Sequence, residues 1–536
     1  MTTKTPRQSP KTADSPETGW APEMEELQFR RARAEELGGA EAVAFQHGRD
    51  KLTVRERIDV LSDAGSFREL GKLTGKGRYD EHGRMEDFTP SNSVVGYGRV
   101  NGRKVVISGD DFTIRAGSSE STVSDKWVYA ERIAHEYEMP LVRLVDTAGG
   151  SVKLLEQQQA TKLPGYARWP SISLLGKVPV VGMALGACAG LGAIKVGISH
   201  FSVMVKDQGF VFAGGPPVVK QGLGQDVTKE ALGGSRVHTR SGVVMNEARD
   251  EQDAFEQVKR FLSFMPPNIW ETPDRIASDD DPERADPELD DAIPRDRRKV
   301  YDPRAILNRI VDQGSFFEVS RRFGGSVITG YARLNGHAVG IIANDPVVKG
   351  GALTLQAAQK MARFVDICDS FHLPVVNFVD QPGVMTGLEA ETAGTMSAAI
   401  GLLGALEQVS VPWCSIIIRR AFGVGGGAHG PKHGPEGRSL NYRFAWPSAR
   451  WGSIPIEGGV AAAYKKDITA AEDPDAFREE LEAYYHRLAS PFRTAEKFGI
   501  VDIIAPRETR SLLCDWVADA HALTTRQTGP KRRTMR

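Results

Sequence analysis

The chain writes one pattern twice. "SVVGYGRVNG" at residues 93–102 is answered by "VITGYARLNG" at 327–336, with Tyr97 and Tyr331 standing 234 positions apart. The same offset links Pro140 to Pro374 and Asp146 to Asp380, so "PLVRLVDTAGG" corresponds to "PVVNFVDQPGV". Pro179 and Pro412, then Gly190 and Gly423, follow at an offset of 233. Ahead of the turn, "DAGSF" at 63–67 is matched by "DQGSF" at 312–316. One such match carries little, but an ordered series defines two copies of one domain. A length of 536 residues, too great for one ordinary core, agrees.

Each copy has the same grammar. Asn-Gly between apolar runs predicts a hairpin, and its job is register rather than chemistry. An amphipathic helix follows ("VSDKWVYAERIAHEY", "LQAAQKMARFVDICDSF"), then a short buried strand ("PLVRLVD", "PVVNFVD") that ends at a Gly-containing loop. A later strand ("VPVVGMALG", "VPWCSIIIR") runs into a glycine-rich turn. Strands alternating with helices predict an α/β unit. The boundaries follow: a disordered tail over 1–22, a first domain over 23–270, a linker over 271–298, a second domain over 299–525, and a tail over 526–536. The linker is placed on "DPERADPELDDAIPRDRRK", which is rich in Pro and Asp and poor in apolar residues.

Net charge near −1 gives no bulk field for nucleic acid or membrane. No run of 18 apolar residues predicts a membrane span, and the first twenty residues lack the apolar core of a secretory signal. Four scattered cysteines, Cys188, Cys368, Cys414 and Cys514, form neither a zinc ribbon nor a disulfide framework. A reduced, cytoplasmic protein is expected.

The glycine turns are "GACAGLGA" at 186–193 and "RRAFGVGGGAHG" at 419–430. A turn that feeds a helix start leaves backbone N–H groups unpaired and facing outward. Two such groups aimed at one point stabilise charge developing on a carbonyl oxygen. A single turn of this kind also serves tight strand–helix packing; two at equivalent positions of a repeat favour a paired site. No GxxxxGK[ST], HExxH or GxSxG occurs, and "GVGGGAHG" lacks the clean GxGxxG spacing of a dinucleotide site. His429 and His433 are four apart, a spacing two metal ligands can share, but loop placement is commoner and no metal is expected.

These residues resemble the carboxyltransferase (β) subunits of biotin-dependent acyl-CoA carboxylases, of the propionyl-CoA and methylcrotonyl-CoA carboxylase type. The likeness runs over roughly residues 25–510 through "KLTVRERIDVLSDAGSF", "FTIRAGS", "AGGPPVVK", "LGGSRVHTRSGV", "YDPRAILNRIVDQGSFFEV", "AWPSAR" and "SPFRTAEKFGIVD". It implies tandem crotonase-like (ClpP/crotonase, ββα spiral) domains, with acyl-CoA on the first domain of one subunit and carboxybiotin on the second domain of another. By position, the thioester oxygen falls to Gly190, Leu191 and Gly192, and the biotin ureido oxygen to Gly423, Val424 and Gly425. Gly149 and Gly150 fall near the CoA site, and Gly426 and Gly427 beside the acyl group. Leu191 and Val424 stand where propionyl-type subunits have glycine. The first domain's usual "DSGGAR" reads "DTAGGSV", without its arginine.

The resemblance implies CO2 transfer from carboxybiotin to an acyl-CoA. No AMKM-like biotinylation motif occurs, so biotin arrives on a separate carrier, loaded by a biotin carboxylase (α) subunit. It also implies a hexameric ring, homomeric or shared with a related subunit. Three alternatives stay open: the reverse reaction in an acyl-CoA decarboxylase, a non-catalytic member of a mixed ring, and a plain crotonase-like hydratase or isomerase.

Overall fold

Each "NG" is the tip of a hairpin in which both residues have positive φ: 49° and 79° at Asn101–Gly102, 47° and 78° at Asn335–Gly336. That geometry suits the right-handed twist of paired strands. The "DxGSF" segment latches the turn. Asp63 accepts from the N–H groups of Asn101 (3.0 Å) and Gly102 (2.8 Å). Asp312 accepts from Asn335 and Gly336 at the same two distances. Ser66 and Ser315 each accept from the backbone N–H of the arginine in "GYxRxNG". The two repeated motifs are thus one device in each copy.

The structure is a computed structural model that describes residues 19–118, 123–152, 156, 159, 165, 168–431 and 442–531. The chain divides into two compact units. The first holds residues through His238 together with Glu247–Lys259; the second holds Thr239–Asn246 and the residues from Arg260 onward.

The first unit is built on strands β1 (Arg68–Leu70), β4 (Ser93–Val100), β5 (Arg103–Asp110), β6 (Leu141–Thr147), β7 (Val180–Ala189), β8 (Phe201–Val205), β9 (Phe210–Phe212) and β10 (Asn246–Ala248), while β2 (Gly75–Tyr79) and β3 (Met85–Pro90) form a separate ribbon. The main sheet runs β1-β4-β5-β6-β7-β8-β10, with β9 also pairing β7. The second unit has β11 (Phe317–Val319), β12 (Val327–Leu334), β13 (His337–Asn344), β14 (Val375–Gln381), β15 (Trp413–Phe422), β16 (Tyr442–Ala445), β17 (Arg450–Gly452) and β18 (Asp502–Ile503). Its order, β11-β12-β13-β14-β15-β16-β18 with β17 on β15, repeats the first strand for strand. In each sheet an antiparallel hairpin leads into parallel strands.

The crossover helices occupy Ser124–Glu136 and Leu355–Ser370. Trp127, Ala130 and Ala134 line one buried face of the first, at helical spacing, and pack on Val95, Val106, Leu141 and Val180. Met361, Phe364 and Cys368 take the corresponding places in the second.

The expected boundaries differ from these units: residues 239–246 and 260–270, expected in the first domain, belong to the second unit. Residues 1–18 lie outside the described chain, and a helix already begins at Ala21. Segment 271–298 is no open linker: Leu289 is buried in the second unit's core, and Asp280 pairs with Arg284 and Arg510. Its single turn Pro287–Asp291, capped by Asp286, turns Leu289 inward despite the polar composition. Of the C-terminal tail, residues 532–536 lie outside the described chain. Among the described residues no helix is long and apolar enough to cross a membrane.

Candidate active site

The two glycine turns share one geometry. Gly190 has φ 56° and Gly423 φ 62°. Each follows its long central strand, β7 or β15, and opens a short helix, Leu191–Gly197 or Gly423–Gly427. The left-handed demand falls on the glycine, so the bulkier Leu191 and Val424 that follow need no positive φ and have none. Gly190 uses its own N–H on the Phe212 carbonyl (3.1 Å), so it shapes the turn and donates nothing outward. The donors left at that helix start are Leu191 and Gly192. A Cβ on Gly192 would stand 2.6 Å from Thr147 Cγ2, and one on Gly425 2.7 Å from the Gly383 backbone. Both glycines are there because a neighbouring turn comes too close for a side chain.

That neighbouring turn also repeats. Gly149 (φ 83°) donates to Thr147 Oγ1, and Gly383 (φ 134°) donates to Gln381 Oε1. A third turn closes over each site, with Gly117 at φ 64° and Gly351 at φ 82°.

In the first unit the three turns enclose a cavity of about 70 Å³. Its lining brings together Gly149, Gly150, Gly190, Leu191 and Gly192, all expected from sequence, with Asp110, Trp127, Thr147 and Lys195, which sequence reasoning missed. The second unit keeps only about 10 Å³ at the equivalent place, beside Gly425, Ala428 and His429. Gly426 does not face that space: a Cβ there would meet the Ala421 backbone at 2.4 Å. Gly427 is half-buried and is not part of the lining either. The His429 carbonyl accepts from Asn377, Trp413 and Ser415, which fixes the exit of this turn. His433 lies outside the described residues.

A buried network supports the first turn. Arg143 pairs with Glu131 through two contacts of 2.8 Å, and its third nitrogen takes the carbonyls of Ile198 and Lys195 at the far end of the helix. Trp169 donates to the same Glu131 and stands edge-on to Trp127, with ring centroids 5.4 Å apart. The second unit has Val365 and Asn377 where the first has Glu131 and Arg143.

Behind both sites sits a fully buried carboxylate. Asp146 meets Lys51 at 2.5 Å and Arg57 at 3.0 Å, and Arg57 is also clamped by Glu251. Burial alone would lower the Arg57 guanidinium; the charges of Asp146 and Glu251 outweigh it and hold it above its ordinary value. Asp380 meets Arg419, Arg420 and the Tyr301 hydroxyl. Burial first, and the Asp380 charge second, push the Tyr301 phenol well up.

Two parallel-stranded copies, each with a glycine turn that opens a helix, define a tandem crotonase-like enzyme, and residues 45–535 match the carboxyl transferase domain family. The chain belongs to that family. It is 36% identical over 509 residues to the carboxyltransferase subunit of propionyl-CoA carboxylase from Haloferax mediterranei, covering 94% of this chain and 96% of that one. It is 33% identical over 500 residues to the methylmalonyl-CoA decarboxylase subunit alpha of Veillonella parvula, covering 92% and 95%. Among solved structures it superposes on a chain of transcarboxylase 12S, a hexamer assembly solved with methylmalonyl-coenzyme A and methylmalonic acid bound, with a TM-score of 0.85 and 31% identity, covering 97% of this chain and 99% of that one.

Proposed function

We propose that this chain is the carboxyltransferase subunit of an acyl-CoA carboxylase, with the acyl-CoA thioester at the first unit's turn and carboxybiotin at the second. The observation that carries this reading is the pair of matched turns, each a glycine at positive φ opening a helix. At the first, the N–H groups of Leu191 and Gly192 hold the thioester oxygen as negative charge develops on it. At the second, Val424 is 64% exposed, so the start of that helix is open to a group arriving on another protein. Carboxybiotin, borne on a separate carrier, supplies the carboxyl group there, and the N–H groups of Val424 and Gly425 hold its ureido oxygen. The larger cavity at the first turn suits it to the acyl side. Partners follow from this division: a biotin carboxylase and a biotin carrier on other chains, and a ring of six, as in the transcarboxylase neighbour.

The test is reconstitution. Purified chain, biotinylated carrier, biotin carboxylase, ATP and labelled bicarbonate should place acid-stable label on an acyl-CoA. Labelled carrier that discharges to no acyl-CoA in a broad panel would refute the reading. Running the mixture from the carboxylated CoA ester reads the reverse direction.

A further inference from the structure

The second unit is a control for the first. Where the first has Asp110, the second has Asn344, whose amide is used within the fold: it donates to the Gly351 carbonyl (3.2 Å) and accepts from the Asp380 N–H (3.0 Å). Where the first has Lys195, the second has Ala428; where the first has Trp127, the second has Met361. The fold therefore closes around this spot without a charge. In the first unit two charges have been placed there. The Lys195 and Asp110 side chains are 8% and 12% exposed, and burying an ion pair gives little or no stability over an apolar filling.

The pair is also incompletely satisfied. Lys195 Nζ stands 3.3 Å from Asp110 Oδ1, longer than a tight charge-assisted bond of about 2.7–2.9 Å. The ammonium lies over the Trp127 ring, 4.3 Å from its centroid. Asp110 Oδ2 is buried with no hydrogen-bond partner. The cavity thus offers an ammonium with donors to spare beside a carboxylate oxygen in need of one.

A group entering this cavity must accept from Lys195 and donate to Asp110. A methyl does neither. A carboxylate is repelled by Asp110, and an ammonium by Lys195. A hydroxyl does both, with one O–H to give and lone pairs to receive. We propose that Lys195 and Asp110 are a specificity pair for a hydroxyl on a short acyl chain, so that this carboxyltransferase takes a hydroxyacyl-CoA in preference to its unsubstituted counterpart. This rests on the reading that the first unit is the acyl-CoA side. A site built to hydrogen-bond a substrate hydroxyl discriminates strongly, because the analogue lacking it leaves buried polar groups unpaired.

The experiment compares binding of 4-hydroxybutyryl-CoA and butyryl-CoA to the full-length protein by calorimetry. The wild type should favour the hydroxylated ester by on the order of 10- to 100-fold. Lys195→Met and Asp110→Asn should each erase most of that preference. Since either single change strands a buried charge, the double variant Lys195→Ala/Asp110→Asn is included. It reproduces the second unit's residues, a combination that folds there, and it should bind both esters alike. A wild type with no preference, or a double variant that keeps it, overturns the proposal and leaves a water-filled cavity as its replacement. Leu191→Pro separates the two levels. Weakened binding of both esters upholds the first unit as the acyl side, and unchanged binding of both removes that reading and this proposal with it.

Discussion

Asp146 and Asp380 occupy the same place in the two units, at the end of equivalent strands and fully buried, yet they are held by unrelated cations. Asp146 takes Lys51 and Arg57, from the segment just ahead of the Asp63 latch. Asp380 takes Arg419 and Arg420 from the adjacent strand itself. The position matching Arg419 in the first unit is Gly186, where a Cβ alone would stand 1.9 Å from Asp146 Oδ1. Lys51 and Arg57 already fill that space. What the fold fixes is the carboxylate beneath the glycine turns; the element that supplies its counter-charge differs between the copies.

Deleting each carboxylate in turn should have the largest effect. Asp146→Ala strands Lys51, 9% exposed, and leaves the 1%-exposed Arg57 with Glu251 alone, and should cost about 3–5 kcal/mol of stability. Asp380→Ala strands Arg419, 7% exposed, but Arg420 is 26% exposed and can turn to water, so the loss should be smaller. Urea unfolding of both variants measures this, and equal losses would show that exposure of the stranded cations does not set the cost.

A second comparison sets the two turns against each other. Leu191→Pro and Val424→Pro each remove one N–H in a helix's first turn, where proline is tolerated. Each should lower kcat on the order of 10²- to 10³-fold, as loss of one oxyanion donor does elsewhere. The first should also raise KM for acyl-CoA, and the second KM for the biotin carrier. If both variants, shown folded by circular dichroism, kept near-normal turnover, the turns would be packing devices.

The smallest effect concerns an equivalent pair of buried lysines. Lys126 donates to the Ser93 carbonyl and has Glu69 at 3.6 Å. Lys360 donates to the Ser320 carbonyl, while the matching carboxylate, Glu318, is taken by two contacts from Arg304. Burial pushes Lys360 from 10.5 down to about 7. Between those values the unfolded chain binds the extra proton, so this group's contribution to stability rises with pH from about 7 to 10.5. Below that window the buried charge is a full burden. Lys360→Met should therefore raise Tm by a few degrees near pH 6.5, with the gain fading toward pH 10, and Lys126→Met should show a weaker version of the same trend. A gain independent of pH would mean that packing, not charge, is responsible.

The repeat made much of this legible. The turn residues, the crossover helices, the buried strands and both glycine turns lie where their patterns put them, because each depends on local chemistry: φ at a glycine, spacing on a helix, alternation along a strand. Segment 271–298 was misjudged for the opposite reason. Its average composition is that of a linker, but Leu289, the Asp286 cap and the Asp280 ion pairs are enough to fasten it down. Lys195 and Asp110 belong to no motif, and 85 residues separate them. A signal was nonetheless present. Reading across the offset for positions where one copy is charged and the other is not would have singled out Asp110 against Asn344 and Lys195 against Ala428.

The clamp of Arg57 by Glu251 has a consequence for how the protein is made. The two residues are 194 apart, and the segment bearing Glu251 belongs to the first unit although Thr239–Asn246, just ahead of it in the chain, belongs to the second. On the ribosome, the first unit can latch its hairpin through Asp63 early. The buried guanidinium has no complete set of partners until residue 251 has emerged. The first domain therefore finishes folding only when synthesis has reached the threshold of the second, so the nascent chain must protect a nearly complete but unlocked sheet until then.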